Sequence, residues 1–316
     1  MPKDQANLLD PVAIQRAEAL GLQARQIVEG YMAGEHKSPF RGFSIEFTQH
    51  REYVAGDDIR HLDWKVLGRT DRYYLKQYEQ ETNYVAHIAL DGSESMKYAS
   101  GLRGGGKAAA RGKAEAAKLS KLEYGKMIAA CLAYIILNQR DAISVGVFDT
   151  AVRNYIPRTG NLASLHSIMA TLAAFQPTQQ TGIGKVLHDI AAQIKRKGIF
   201  ILISDLFDDE AKVIEGIQHL RFSGQEVIVF HVMDPFELEF PFQGIVEFEG
   251  LEQIPKLMTR PYEIRKSYLR VINAFKDRIR VECERNNCHY VLVNTAHPLE
   301  EVLSGYLAFR LRTTTK

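Results

Sequence analysis

The chain has 316 residues, of which 46% are hydrophobic and 25% charged. This length and apolar content can bury a large core, and they predict one large α/β domain with an accessory segment. A net charge of +2 argues against a general nucleic-acid or membrane-surface binder. The longest apolar stretch, residues 127–137, is far shorter than the ~20 residues that span a bilayer. With three cysteines and no signal-like start, we expect a cytoplasmic protein without a membrane span.

The first 84 residues predict a helix followed by a small β-rich subdomain. Apolar residues recur at helical spacing over residues 11–33. From residue 43 to residue 84, aromatic and β-branched residues alternate with polar ones, with one short helix predicted around 59–67. Basic residues in this part are interleaved with acids such as Asp57 and Asp58. We therefore expect an ion-paired surface or a protein-docking face rather than a nucleic-acid site.

From residue 85 onward the pattern alternates between strands and helices. The predicted strands are 85–90, 142–148, 199–204, 226–232 and 289–294. The predicted helices lie near 122–139, 161–174, 183–196, 210–222, 262–286 and 298–309. Alternation of this kind predicts a Rossmann-like α/β domain over residues 85–316, with a mostly parallel sheet and helices on both faces. A short β-rich excursion is predicted over residues 236–260.

A glycine- and lysine-rich segment, residues 101–118, interrupts this domain. Six basic residues and a single acid lie between residues 101 and 121. Residues 101–108 nearly match the phosphate-binding pattern G-x-x-x-x-G-K-[ST], but Ala108 replaces the required hydroxyl and no strand leads directly into the glycines. We therefore predict a flexible, basic insertion that trypsin would cut first.

Oxygen-bearing side chains follow two of the predicted strands. Asp91, Ser93 and Ser95 form a D-x-S-x-S turn after strand 85–90, and Asp205 follows strand 199–204. Thr181 precedes an amphipathic helix that runs to about Lys195, and it is predicted at the N-cap. Neighbouring parallel strands end at the same edge of a sheet, so these groups should converge. Oxygen ligands of this kind suit Mg²⁺ or Mn²⁺.

These three segments resemble the metal-ion-dependent adhesion site of von Willebrand factor A domains. The resemblance implies that Ser93, Ser95 and Thr181 contact the cation, whereas Asp91 and Asp205 act through water. An acidic side chain of a partner would complete the coordination shell. Loss of Asp205 or Thr181 should then weaken partner binding and leave folding nearly unchanged.

A second resemblance concerns the stretch before the domain. Residues 51–60, R-E-Y-V-A-G-D-D-I-R, and residues 62–65, L-D-W-K, are similar to the bacterial family catalogued as domain of unknown function fifty-eight. The resemblance covers about residues 30–235 and implies an A-like domain behind this signature. It also implies a MoxR-type AAA+ ATPase as partner, and a role as a metal-dependent adaptor in assembly or maturation of client proteins.

Two functions remain open at this point. The first is a non-enzymatic protein–protein interaction module that depends on Mg²⁺. The alternative is a Mg²⁺-dependent hydrolase of phosphate esters, with Asp91 as nucleophile and Asp205 as metal ligand. Ser93 occupies the position where such enzymes generally carry a second carboxylate, which favours the interaction module.

Overall fold

The computed structural model describes residues 45–52, 66, 68–69, 73–80, 85–100, 119–138, 141–177, 182–248, 257–299 and 302–303. These residues fall into two units, one within residues 40–84 and one from residue 85 onward. In the first unit, β1 (Ile45–Glu52) and β2 (Tyr74–Gln80) form an antiparallel pair. The helix predicted over residues 11–33 and the insertion predicted over residues 101–118 lie outside the described residues.

The second unit is built on a six-stranded sheet. Its strands are β3 (Val85–Asp91), β4 (Ala142–Phe148), β5 (Val152–Thr159), β6 (Gly198–Ser204), β7 (Glu226–Met233) and β10 (His289–Asn294). They lie in the order β10-β7-β6-β3-β4-β5, and within this described sheet the β4–β5 pair alone is antiparallel. The mostly parallel sheet is confirmed, whereas the edge strand β5 was not predicted.

Helices connect these strands close to their predicted positions. They are α1 (Lys121–Asn138), α2 (Ser164–Ala174), α3 (Ile183–Gln193), α4 (Glu210–Phe222), α5 (Pro235–Glu239) and α6 (Pro261–Arg285). Of the helix predicted over residues 298–309, residues 298–299 and 302–303 are described, and residues 299 and 302–303 are helical. The predicted excursion contains α5 and a hairpin of β8 (Val246–Phe248) and β9 (Leu257–Thr259). Within the described ranges, no helix is both long and apolar enough to cross a membrane.

Side chains of the central strands alternate between the two faces of the sheet. Leu90 and Ile203 face α1, where the backbone of Gly125 approaches them so closely that an added Cβ would lie 2.8 Å and 3.3 Å away. Ala89 and Leu202, the preceding residues in each strand, belong to the core that α3, α4 and α6 cover on the other face. Parallel strands buried on both faces need continuous apolar sequence, which is why these runs were recognisable.

Two glycines bring α3 and α4 into close contact. A Cβ on Gly216 would lie 2.8 Å from Cβ of Leu187 and 3.2 Å from the carbonyl oxygen of Gly184. A Cβ on Gly184 would in turn lie 2.8 Å from backbone atoms of Lys212. The two helices therefore pack at a distance that a side chain at either glycine would prevent.

We expect Gly216→Val to destabilise the protein by about 1–3 kcal/mol through overpacking strain. The higher helix propensity of valine offsets only a few tenths of a kcal/mol of this cost. Urea denaturation measures this change. Gly146→Val is the matched control, because the nearest atom to an added Cβ at Gly146 is a ring carbon of Tyr155 at 3.6 Å. Equal unfolding midpoints for the two variants would contradict the tight helix contact.

Candidate functional site

The ends of β3 and β6 place the two predicted aspartates at one edge of the sheet. Leu90 pairs with Ile203 in the parallel register, so Asp91 and Asp205 lie at the ends of adjacent strands. Both side chains are fully buried, as is Ser93, whereas Ser95 is partly exposed. Four of the five predicted site residues are thus brought to the same edge.

The turn after β3 holds the two serine hydroxyls together. The Oγ atoms of Ser93 and Ser95 lie 2.9 Å apart, and the Ser93 amide donates to Oδ1 of Asp91 at 2.9 Å. Gly92 forms the bend, and its amide donates to the carbonyl of Phe148 at 2.6 Å. A Cβ on Gly92 would lie 2.2 Å from the ring of Phe175, so this tight turn requires glycine.

Asp91 is held by hydrogen bonds to both of its carboxylate oxygens. Besides the Ser93 amide, the Ser204 hydroxyl donates to Oδ2 of Asp91 at 2.5 Å. Ser204 Oγ accepts in turn from the Leu206 amide at 2.8 Å. Ser204 is not among the predicted site residues, although its place as the last residue of β6, beside the end of β3, could have pointed to it. Asp91 therefore acts as an anchor of the edge rather than as a free carboxylate.

A buried lysine neutralises the other aspartate. Nζ of Lys121, the first residue of α1, lies 2.7 Å from Oδ2 of Asp205 and 2.6 Å from Oε1 of Glu237. It also lies 4.8 Å from the ring centroid of Phe207, a cation–π arrangement. Burial alone would lower the pKa of Lys121, but the two carboxylates raise it above its usual value. This lysine therefore carries its charge inside the protein.

Sequence reasoning missed Lys121 and Glu237. Lys121 was grouped with the basic residues of the predicted insertion, although it closes that run immediately before the apolar helix. Glu237 lies in α5, where its Oε2 accepts from the amide of Asp234 in a capping box. The capping-box spacing was the available signal for Glu237. The expectation that loss of Asp205 leaves folding unchanged is revised, because its removal would leave Lys121 buried without one of its two counterions.

Among the described residues, the acids at this edge have fewer positive charges beside them than negative ones. Burial, and then the charge of Asp205, raise the pKa of Asp91 to about 7, against the effect of its hydrogen bonds to Ser204 and Ser93. Asp149, at the end of β4, is instead paired with Arg153, with Nε 2.7 Å from Oδ1. The negative charge of Asp91 is therefore the one at this edge that an added cation would stabilise most.

Thr181 lies outside the described residues. The helix it was predicted to cap, α3, has Gly182 at its N-cap, one residue later than predicted. The start of α3 lies at the same sheet edge, because an added Cβ on Gly182 would be 3.2 Å from Cα of Thr150, just after β4. The place of Thr181 in the cation site stays a prediction.

Hydroxyls, rather than the buried carboxylates, are the candidate direct ligands of a metal at this edge. In the parts of the chain that the structure describes, no group of three or more His, Cys, Asp or Glu side chains is arranged to hold a metal. The Ser93 and Ser95 oxygens nevertheless fit a hard cation, because adjacent ligands of octahedral Mg²⁺ at 2.0–2.1 Å lie about 2.9 Å apart. The donor set fits a weakly held cation with water in much of its shell.

Fold and site together define an α/β protein with a doubly wound sheet and a hydroxyl-rich, acidic edge. The family described as "Protein of unknown function DUF58" matches residues 49–278, and the chain belongs to this family. It is 25% identical over 252 residues to "Uncharacterized protein Rv1480" of Mycobacterium tuberculosis (strain ATCC 25618 / H37Rv), covering 77% of this chain and 72% of that protein. The same figures hold for "Uncharacterized protein Mb1516" of Mycobacterium bovis.

Solved structures with a similar arrangement include the conserved hypothetical protein BatB from Bacteroides thetaiotaomicron. That similarity has a TM-score of 0.44 and 18% identity, and it covers 73% of this chain and 100% of that chain. The SpRpn10 VWA domain is similar with a TM-score of 0.37 and 10% identity, over 70% of this chain and 94% of that chain.

Replacing Lys121 by methionine should cost about 3–5 kcal/mol of stability, because it leaves two buried carboxylates without their counterion. Urea denaturation provides the measurement. In the control Lys212→Met, the lost ion pair with Asp209 is largely exposed, and the expected cost is below about 1 kcal/mol. Similar losses in the two variants would show that the Lys121 cluster does not stabilise the fold.

Asp91 should make stability fall as pH rises. Its folded pKa of about 7 exceeds the unfolded value of about 4, so the native state binds more protons between these pH values. In EDTA, the free energy of unfolding should therefore decrease by about 3–4 kcal/mol for this group, mostly between pH 4 and pH 7, and then level off. Asp91→Asn should remove that component, and the exposed control Asp277→Asn should keep it. If the unfolding free energy of Asp91→Asn depends on pH as strongly as that of the wild type, Asp91 is not the group that causes the dependence.

Proposed function

We propose that this protein is a metal-dependent protein–protein interaction module. An acidic side chain of the partner would bind at the carboxyl edge of the sheet through Mg²⁺ or Mn²⁺. The observation that carries the proposal is the pair of Ser93 and Ser95 hydroxyls, 2.9 Å apart in a turn that the buried Asp91 anchors. A bound divalent ion would act as the Lewis acid to which the partner's carboxylate coordinates.

Each residue of the edge has a distinct part in this proposal. Ser93 and Ser95, with Thr181, would hold the cation directly through hydroxyls. Asp91 and Asp205 would attract it and bind its waters, because their oxygens already accept hydrogen bonds from protein groups. The partial exposure of Ser95 leaves this side of the turn open to a partner.

The charge of Lys121 would keep metal binding weak and exchangeable. Its ammonium group lies 2.7 Å from Asp205 and opposes the approach of a second cation. Few formal negative charges then remain to attract Mg²⁺, and affinity for hard divalent ions rises with ligand charge. A weakly held ion suits a contact that forms and dissociates with the partner.

The geometry of Asp91 favours an interaction module over a phosphate-ester hydrolase. A nucleophilic carboxylate needs an oxygen that is free to attack its substrate. Asp91 is fully buried, and its two oxygens accept from the Ser204 hydroxyl and the Ser93 amide. A phosphatase assay with Mg²⁺ tests the alternative. Turnover that Asp91→Asn abolishes would show that the protein is a hydrolase and would reject the proposal of a non-enzymatic interaction module.

For the partner, we propose a MoxR-type AAA+ ATPase. Membership of the DUF58 family supports this choice, because resemblance to that family implies such a partner. The protein would then act as an adaptor that presents client proteins for assembly or maturation. An ATP-driven partner would place this work in the cytoplasm.

We expect wild-type protein to bind Mg²⁺ or Mn²⁺ with weak affinity and the double variant Ser93→Ala/Ser95→Ala to lose that binding. Isothermal titration calorimetry measures it directly. Ser167→Ala, at an exposed position of α2, is the matched control. Unchanged affinity in the double variant would show that the cation, if bound, is held elsewhere.

Partner binding should require the same two hydroxyls. A pull-down of the MoxR-type ATPase should succeed in Mg²⁺, fail in EDTA, and fail with the Ser93→Ala/Ser95→Ala variant. Binding that persists unchanged in EDTA would remove the cation from the mechanism. If the wild-type protein binds the metal normally but does not capture the ATPase in Mg²⁺, the ATPase is rejected as the partner and the metal site is retained.

A further inference from the structure

A groove with a volume of about 630 Å³ lies on the face of the sheet away from α1. We call it the β3–β5 groove, because strands β3 and β4 form its floor, β5 forms its outer wall and α3 forms the other wall. Its size falls within the range of small-molecule pockets, about 300–1,000 Å³. It is separate from the candidate cation site, because none of Asp91, Ser93, Ser95 and Asp205 lines it.

The floor of the groove is apolar. Ala89, Gly146 and Phe148 come from β3 and β4, and Phe200 and Val186 close the floor on the side of α3. The register pairs Ala89 with Gly146, where the missing side chain of the glycine opens the space.

The outer wall of the groove exposes apolar side chains. Tyr155 and Val152 of β5 are 60% and 39% exposed, and both line the groove. A partly solvated apolar strip of this kind is a common feature of binding sites.

One end of the groove is cationic. Arg158, Lys195 and Arg196 line it against the single acid Asp189. In the described part of the chain, none of these three cations forms an ion pair. Arg158 precedes Thr159, which pairs with Ile143 near the start of β4, and Lys195 and Arg196 precede β6. All three therefore lie near the amino-terminal ends of the parallel strands, opposite the carboxyl-terminal ends where Asp91 lies.

His87 presents a further polar atom at this end. Its Nδ1 lies 2.7 Å from the Ser144 hydroxyl, and its Nε2 is buried with no hydrogen-bond partner among the described residues. His87 pairs with Ser144 two residues before Ala89 and Gly146 along the strands. If the Ser144 hydroxyl donates to Nδ1, Nε2 carries the proton and can donate to an anion.

We propose that the β3–β5 groove binds a small carboxylate with an apolar body, its head at the Arg158 end and its chain along the Ala89–Gly146 floor. Three cations that form no ion pair with any described residue complement the head, and a buried imidazole nitrogen offers one hydrogen bond. The polar end and the apolar floor follow one another along the strands, which matches the order of groups in an amphiphilic anion. Binding here is independent of the proposed cation site.

Decanoate, kept below its micelle concentration, is the probe for the full-length protein. Calorimetry should show saturable binding at a single site. Decanol should bind at least about tenfold more weakly because it lacks the charge-assisted hydrogen bonds, and acetate should show no binding because it lacks the apolar body. Equal binding of decanol and decanoate would overturn the assignment of the cationic end, and no binding of decanoate would overturn the proposal.

Two variants locate the binding. Gly146→Leu would fill the floor, where an added Cβ meets ordinary contacts of 3.6–3.9 Å, and should abolish decanoate binding. Arg158→Gln should weaken it by about five- to tenfold through loss of one charge-assisted bond. The exposed Arg270→Gln on α6 is the matched control and should bind as wild type, and urea midpoints establish that each variant is folded.

The same two variants distinguish binding in the groove from adsorption elsewhere on the apolar surface. Decanoate binding that survives both Gly146→Leu and Arg158→Gln would show such adsorption and overturn the proposal. Loss of decanoate binding in Gly146→Leu with unchanged Mg²⁺ binding would support a groove that works independently of the cation site.

Discussion

Buried negative charge at the carboxyl edge of the sheet is the constraint on which the surrounding structure depends. Asp91, Asp205 and Glu237 come from β3, the end of β6 and α5, and burying such groups is costly unless each is paired or hydrogen-bonded. Lys121 satisfies two of them at 2.7 and 2.6 Å. One ammonium group therefore ties the start of α1 to the sheet and to the excursion that follows β7.

The same charge balance shapes the proposed function. Lys121 compensates Asp205 and Glu237 but leaves Asp91 to hydrogen bonds from Ser204 and Ser93. A further cation is favoured there, yet the resident ammonium group opposes tight binding. The opposite edge of the sheet carries cations around an apolar groove, so the two edges suit ligands of opposite charge. A doubly wound sheet separates these two chemistries by the length of its strands.

Local patterns in the sequence determined most of the elements and part of the site. The buried strands β3, β6 and β7 are continuous apolar runs because both faces of a parallel sheet are covered. Their boundaries placed Asp91 and Asp205 at strand ends, and neighbouring parallel strands bring such ends to one edge. The strand β5 escaped this reasoning because its exposed, edge-strand pattern lacks a buried face on which a period would be visible.

Only the tertiary structure decided how charge is neutralised and where space is left. In the sequence, Lys121 is the last residue of a basic run, and its burial depends on Asp205 and Glu237, which are 84 and 116 residues away. The groove likewise exists because β3, β4, β5 and α3 leave an uncovered strip around Gly146. The periodicity of apolar residues in a helix or strand is visible within a short stretch of sequence. Ion pairs and cavities instead depend on which distant segments become neighbours.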